Sequence, residues 1–115
     1  MKLFATLKSV RALEKGHLPF VKSVVDFDII IEVGFAEEEG QPLTLKQLFL
    51  LDISSRTTIR RRLAKLSEQG VIVRRKKKDD GRTTVLAVAS PSRKQLSSYG
   101  SQVAAIWAQI AAAMK

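Results

Sequence analysis

The sequence of 115 residues predicts a mainly α-helical fold that contains one small β-hairpin. Apolar residues recur at intervals of three and four over most of the chain, which is the period of an amphipathic helix. Two short β-branched runs flank a charged turn that contains glycine, and this pattern predicts a hairpin. The length and the hydrophobic content of 45% suit one domain, 1–115, with a single core. We divide it into an N-terminal helix (1–17), a central part (18–91) and a C-terminal helix (92–115).

The first part of the chain predicts three helices. The first covers 2–15 and ends at the glycine that follows. The second covers 24–38, because Ser23 is a helix-capping residue with a carboxylate three positions later, a variant of the capping box. Thr44 caps a third, short helix that runs through Leu51. In this helix Leu45 and Leu48 point inward, together with Leu51 or Phe49.

A turn over 52–55 separates the short helix from a fourth helix, 56–69. Ser55 is the predicted N-cap of this helix, and Ile59, Leu63 and Leu66 form its apolar stripe. Gly70 follows as the residue that ends a helix in the left-handed conformation.

The β-hairpin follows directly. Its first strand begins with Val71, Ile72 and Val73 and continues into five consecutive basic residues, and its second strand covers 83–89. The turn Asp79–Asp80–Gly81 joins them.

The C-terminal helix, 92–115, begins after Ser90 and Pro91, which are typical of a helix start. Its large residues repeat in steps of three and four, as in a coiled-coil seam. A helix of about 24 residues is about 36 Å long, so a domain of this size leaves part of it uncovered. We therefore predict a homodimer. The alternative is that the two terminal helices of one chain cover each other. The predicted dimer contacts are Leu3, Phe4, Leu7, Leu96, Val103, Trp107, Ile110 and Met114.

Positive charge is concentrated in the middle of the chain. The whole chain has 20 Lys and Arg against 11 Asp and Glu, a net charge of +9. Residues 1–43 contain five basic and seven acidic residues, whereas residues 44–94 contain fourteen and four. Solubility alone needs no such segregation, so the pattern favours a polyanionic partner for the middle segment.

The order helix, short helix, turn, helix, basic hairpin, helix is that of a winged helix-turn-helix domain. Residues 44–91 resemble this domain in the MarR-type (multiple antibiotic resistance) transcriptional regulators. The resemblance rests on Leu43–Thr44, on Ser55–Leu66 followed by Gly70–Val71–Ile72, on Asp80–Gly81–Arg82 and on Ser90–Pro91.

The chain departs from the family pattern in three places. Asp52–Ile53–Ser54 replaces the usual turn of small residues. Ser90–Pro91 comes one residue late, which predicts a longer strand or a bulge. The chain is also shorter than typical members. The resemblance implies a small-molecule effector, but no residue pattern here supports one.

A helix fits the major groove of DNA and reads base edges from its N-terminal residues. With the apolar stripe turned inward, the base-reading candidates are Arg56, Thr57, Arg60 and Arg61. The resemblance implies that Arg82 reaches the minor groove and that Asp80 orients it. For the arginines of the helix, the alternative is a solvated basic face. For Arg82, the alternative is a weak surface ion pair with Asp80. Candidates for phosphate or minor-groove contact are Ser54, Ser55, Lys46, Arg62, Lys65, Arg74, Arg75, Lys76, Lys77, Lys78 and Arg82.

Other classes of function find little support. The chain has no cysteine and one histidine, His17, so we predict neither a metal site, a cofactor nor an enzyme. Asp26, Asp28 and Glu32 share one side of the second helix without a metal-binding or acid–base partner. Residues 37–39, all glutamate, read as a solvated helix end. No apolar run is long enough to cross a membrane, and we expect a cytoplasmic protein.

The sequence therefore predicts a transcriptional regulator that binds double-stranded DNA as a homodimer on a pseudo-palindromic operator. Its two recognition helices would lie about 34 Å apart, one turn of DNA. The alternatives are a sequence-tolerant architectural or RNA-binding winged helix, and a module that binds another protein.

Overall fold

The computed structural model describes residues 2–114, which form five helices and one antiparallel pair of strands. The elements are α1 (Leu3–His17), α2 (Val24–Glu38), α3 (Leu45–Leu50), α4 (Arg56–Glu68), β1 (Ile72–Lys76), β2 (Thr84–Val88) and α5 (Ser90–Ala113). This mainly α-helical architecture with one hairpin confirms the predicted fold class. Phe20–Ser90 forms one compact unit, and the flanking N- and C-terminal segments form a second.

The helices of the central unit begin at the predicted capping residues. The Ser23 hydroxyl accepts from the backbone N–H of Asp26 at 3.2 Å, and α2 covers the predicted 24–38. Thr44 and Gln47 form a complete capping box at the start of α3. Ser55 accepts from the backbone N–H of Thr58 at 3.2 Å.

The core of the central unit is built by one face from each element. The predicted stripe of α4, Ile59, Leu63 and Leu66, is at most 2% exposed. The other apolar side chains of this unit at or below 2% are Ile29, Ile30, Val33, Leu48, Val71, Ile72, Leu86, Ala87 and Val88. Helix α2 packs against α3, α4 and β2, and α4 packs against β1.

Strand β2 is buried from Val85 to Val88, and both of its edges have hydrogen-bond partners. Its ladder with β1 runs from Ile72↔Val88 to Lys76↔Thr84. On the outer edge, the N–H of Leu86 donates to the carbonyl oxygen of Leu43 at 2.8 Å. The N–H of Val88 donates to Oε1 of Glu37 at 2.8 Å. Glu37, predicted to be solvated, is therefore half-buried and bound to the sheet edge.

The ladder pairs five consecutive residues on each strand. The extra residue before Ser90–Pro91, predicted to lengthen a strand or form a bulge, therefore causes no bulge in this ladder. Asp52, in the turn between α3 and α4, has a φ of 59°. This left-handed conformation lets the chain turn between the two helices.

In the second unit, α1 and α5 are joined by a histidine. His17 Nδ1 lies 3.1 Å from the carbonyl oxygen of Leu13, and its Nε2 lies 2.9 Å from Nε2 of Gln102. Because a carbonyl oxygen only accepts, Nδ1 is the donor and Nε2 accepts from the Gln102 amide. No residue of α1 is buried, and Ser92 is the one buried residue of α5 within the described range. Among residues 2–114, no helix has the length and apolar character that a membrane span needs.

Candidate nucleic-acid interface

The exposed side of α4 carries the predicted base-reading residues. Ile59, Leu63 and Leu66 turn one face of the helix into the core. At 100° per residue, Thr57 and Arg61 lie directly opposite this face, one turn apart. Both are exposed, as are Arg56 and Arg60. The N-terminal half of α4 therefore presents three guanidinium groups and a hydroxyl to solvent.

Arg56 and Arg60 both contact an aromatic ring on α3. The guanidinium carbon of Arg56 lies 5.2 Å from the ring centroid of Phe49, and that of Arg60 lies 5.0 Å from it. These are cation–π distances. The side of α4 that faces α3 is thus occupied by two stacked arginines, whereas Arg61 lies away from this contact.

Arg62 makes a buried ion pair. Its Nε donates to Oδ1 of Asp26 at 2.6 Å, and its Nη2 donates to Oδ2 at 2.8 Å. The Asp26 side chain is 0% exposed and that of Arg62 is 22% exposed. This bidentate pair occupies two guanidinium nitrogens and turns the side chain toward α2, so pairing with Asp26 is the structural role of Arg62, and its contact with phosphate stays a prediction.

Hydrogen bonding decides the charge state of Asp26. Burial raises the pKa of its carboxyl, but the hydrogen bond from Arg62, the N–H of Lys22 at 2.8 Å and the positive charge of Arg62 outweigh burial and lower it. The same hydrogen bond raises the pKa of Arg62. The pair is therefore fully ionised at neutral pH.

The tip of the hairpin is organised by Asp80. Its Oδ1 accepts from the backbone N–H of Arg82 at 3.0 Å, and its Oδ2 accepts from the Thr83 hydroxyl at 2.7 Å. These two hydrogen bonds, the hydroxyl bond first, lower the pKa of Asp80. Backbone bonds from Asp80 N–H to the Lys77 oxygen and from Thr83 N–H to the Asp80 oxygen close the turn. Asp80 thus orients the backbone of Arg82, while the Arg82 side chain is exposed.

The cations of the hairpin are all exposed. Arg74, Arg75 and Lys76 are the outer half of β1, and Lys77 and Lys78 begin the turn. The Nζ of Lys76 lies 3.3 Å from the Thr84 hydroxyl. This hairpin, 72–88, is called the wing below.

Comparison with solved structures identifies the fold. Tm0710 of Thermotoga maritima, described as a transcriptional regulator, matches with a TM-score of 0.68 at 18% identity, over 98% of this chain and 78% of its own. FabT of Streptococcus pneumoniae, solved in complex with DNA, matches with a TM-score of 0.66 at 20% identity, over 98% and 79%. MarR matches with a TM-score of 0.58 at 18% identity, over 94% and 76%. This chain has the MarR fold. No protein-family profile matches the sequence, and no curated protein matches it.

Within this MarR fold, the remaining residues predicted to contact DNA differ in their exposure and in whether their side chains already have partners. Lys46 is exposed on α3, and Ser54 is half-buried. The Ser55 hydroxyl caps α4 and also donates to the Thr58 hydroxyl at 2.9 Å, so helix capping is its structural role. The Nζ of Lys65 lies 3.6 Å from the carboxylate of Glu68, an exposed pair of little energetic weight.

Two features of the site were missed by the sequence analysis. Phe49 was considered only as an inward residue, yet its half-buried ring holds two arginines. Asp26 was interpreted as a carboxylate without a metal-binding or acid–base partner, and its ion-pair partner Arg62 is 36 positions away along the chain. The one available signal was an aspartate among the apolar residues of α2. The described residues contain no group of acidic or histidine side chains able to hold a metal ion.

Proposed function

We propose that this protein is a transcriptional regulator that binds double-stranded DNA with sequence preference and acts by occupying an operator. Helix α4 enters the major groove, and the wing contacts the minor groove and phosphates. Support comes from the shared fold with Tm0710, described as a transcriptional regulator, and with FabT, solved with DNA.

One observation carries this proposal: the exposed cations of α4 and of the wing belong to the same compact unit. That unit, Phe20–Ser90, contains α4, which packs directly against β1. Most of the basic excess of residues 44–94 is therefore displayed on one scaffold. Neutralising phosphates with such groups releases condensed counterions, so we expect affinity to fall steeply as salt increases.

Base reading is assigned to the outward residues of α4. Arg61 lies opposite the core, where a groove-bound helix meets base edges, and an arginine can bond bidentately to guanine O6 and N7. Thr57 lies one turn earlier on the same line and can contact either a base or a thymine methyl group. Arg56 and Arg60 extend the reading surface toward α3.

The wing supplies a second contact. Arg82 is positioned by the Asp80 turn, and a narrow A·T-rich minor groove has the negative potential that attracts a guanidinium. The lysines and arginines at 74–78 neutralise flanking phosphates. This division assigns specificity mainly to α4 and affinity mainly to the wing.

We further propose that the protein acts as a homodimer through α1 and α5. Helix α5 extends over 24 residues, yet Trp107 is 41% and Met114 70% exposed. In α1, Phe4 is 80% exposed. Apolar side chains at this exposure favour burial against a second copy, whose two-fold symmetry would match a pseudo-palindromic operator.

The decisive experiment is selection of bound duplexes from a random pool, followed by affinity measurements on the recovered site and on a random duplex. Arg61→Ala should weaken binding to the recovered site about 5- to 150-fold and change random-duplex binding much less. Lys77→Ala should weaken both duplexes alike and reduce the slope of log affinity against log salt by about one. Lys8→Ala removes the same charge from α1 and serves as the control.

The possible results separate the competing functions. Recovery of one motif supports the regulator. Binding without any motif, or a preference for RNA, would instead favour a sequence-tolerant winged helix. Equal losses for Arg61→Ala on both duplexes would contradict base reading by α4.

A further inference from the structure

Phe49 of α3 contacts two arginines of α4 with one aromatic ring. It lies on α3, is half-buried, and has the guanidinium groups of Arg56 and Arg60 at 5.2 Å and 5.0 Å from its ring centroid. One ring therefore contacts two cations that lie one turn apart on the next helix. Such contacts are attractive because the face of an aromatic ring is electronegative.

Among the described residues, no ion pair restrains the charged ends of the two arginines. Like charges at positions i and i+4 of a helix repel one another. Among residues 2–114, the ion pairs within 4 Å involve Arg11, Arg62 and Lys65 rather than Arg56 or Arg60. The ring of Phe49 is thus the group that holds both guanidiniums against α3 in the free protein.

We propose that Phe49 is a positioning residue for DNA recognition: it holds Arg56 and Arg60 in the orientation in which they meet the duplex. This inference rests on the proposed function of α4. A free arginine side chain loses rotamer freedom when it binds, whereas a stacked one is already ordered, so less entropy is lost on the operator. The ring itself has no hydrogen-bonding group and reads no base.

Arg61 provides an internal comparison. It lies on the same helix and is also exposed, but it is outside the Phe49 contact. Substitutions at Phe49 should therefore change the contributions of Arg56 and Arg60 and leave that of Arg61 intact.

The test replaces Phe49 with leucine, which keeps an apolar side chain of similar size, and with tyrosine, which keeps the ring. Phe49→Leu should weaken operator binding about 5- to 30-fold if both contacts are lost. Binding to a random duplex should change less, so the ratio of the two affinities falls. Phe49→Tyr should keep the affinities for the operator and for the random duplex near those of the unsubstituted protein. The thermal midpoint of each variant reports any loss of packing.

A double-mutant comparison separates positioning from packing. In a chain that already carries Arg56→Ala and Arg60→Ala, Phe49→Leu should have no further effect on operator affinity, because the groups it positions are gone. In an Arg61→Ala chain its full effect should remain. An equal loss in both backgrounds, or an unchanged operator-to-random ratio for Phe49→Leu, would overturn the inference and leave the proposed function standing. An unsubstituted protein with no preference between the two duplexes would overturn the proposed function itself.

Discussion

At the residue scale, one buried carboxylate connects α2 to α4. Asp26 accepts two hydrogen bonds from Arg62 and one from the backbone of Lys22. A buried charge is tolerated only when paired and hydrogen-bonded, and Asp26 satisfies both conditions. The pair specifies how α4 is rotated about its axis, because Arg62 must face α2 while Arg61 faces outward.

Asp26→Asn should destabilise the protein strongly. The amide cannot supply the negative charge, which leaves Arg62 half-buried beside a neutral group, and we expect a loss of about 2–4 kcal/mol in unfolding free energy. Asp28→Asn, two positions later on the same helix, is the matched control and should cost less than about 0.5 kcal/mol. Urea unfolding of both variants measures the difference. Similar losses at the two positions would contradict the role assigned to the pair.

Acidification should remove the same stabilisation. The pKa of Asp26 is lower in the folded chain than its unfolded value of about 3.9, so its contribution is complete above that value and is lost as the pH falls through the folded-state pKa. The difference in unfolding free energy between the unsubstituted protein and Asp26→Asn should therefore be constant from pH 5 to 8 and shrink below about pH 4. A difference that persists unchanged at the lowest pH at which the protein folds would argue against this linkage.

At the element scale, the wing combines a stable base with a charged tip. Val85–Val88 is buried, whereas Arg74–Lys78 is exposed, so β2 is held in the core while the basic part of β1 and the start of the turn face solvent. The tip depends on the side-chain bonds of Asp80 to Arg82 and Thr83 for its shape. Stability and binding are therefore separable within this hairpin.

Asp80→Ala should impair DNA binding without unfolding the protein. It removes the acceptors that fix the turn, so Arg82 is less ordered before binding. Asp79→Ala changes the net charge by the same amount and leaves those bonds in place. In a binding titration we expect Asp80→Ala to bind more weakly than Asp79→Ala, with both thermal midpoints near that of the unsubstituted protein. If the two variants bind equally, Asp80 acts only through its charge.

Replacing glycine by alanine should have opposite effects on stability after the end of α4 and in the middle of α5. Gly70 has a φ of 71°, so Gly70→Ala forces a side chain into the left-handed region and should cost about 1 kcal/mol. Gly100 lies inside α5, and an added Cβ there meets nothing within 4 Å. Gly100→Ala should therefore stabilise the protein by about 0.5–1 kcal/mol through higher helix propensity. Thermal unfolding distinguishes the two signs, and the same sign at both sites would contradict the argument.

At the scale of the whole molecule, positive charge is concentrated in one unit, whereas exposed apolar side chains occur in both. The central unit, Phe20–Ser90, carries most of the basic residues and also exposes Phe35 and Leu50, while the terminal unit exposes Phe4, Trp107 and Met114. Basic surface favours a polyanion, and exposed apolar surface favours a protein partner. The proposed dimer uses the apolar side chains of the terminal unit and leaves the basic surface of the central unit for DNA.

Substituting the exposed apolar face of α5 should therefore break the dimer. Trp107→Lys places a charge in the proposed interface, whereas Ala105→Lys places one on the opposite, exposed side of the same helix and is the control. Sedimentation equilibrium at micromolar concentration should give twice the chain mass of 12.8 kDa for the unsubstituted protein and the control, and a lower mass for Trp107→Lys. A monomeric unsubstituted protein would exclude the homodimer.

Local signals predicted the elements well because their causes are local. Ser23, Thr44 and Ser55 begin helices since each hydroxyl accepts a backbone N–H within the next turn. The β-branched runs on either side of Asp79–Gly81 pair as the predicted hairpin. The apolar stripe of α4 is buried as its spacing predicts.

Contacts between distant segments were beyond that reasoning. Arg62 was predicted to contact phosphate because nothing near it in the chain identifies Asp26 as its partner. Helical spacing predicted that Phe49 could point inward. It could not predict that the ring contacts two arginines of α4, because that contact forms only in the folded chain. Glu37 looked solvated because only the folded chain brings an unpaired N–H of β2 within its reach.

The sequence by itself determined which segments are helix or strand and where the positive charge accumulates, since capping, periodicity and composition act over a few residues. The tertiary structure decided which of those charges are free. It pairs Arg62 with a buried carboxylate, stacks Arg56 and Arg60 on an aromatic ring and leaves Arg61 facing solvent. These outcomes depend on burial and on partners far away in the chain, which exist only once the helices have packed.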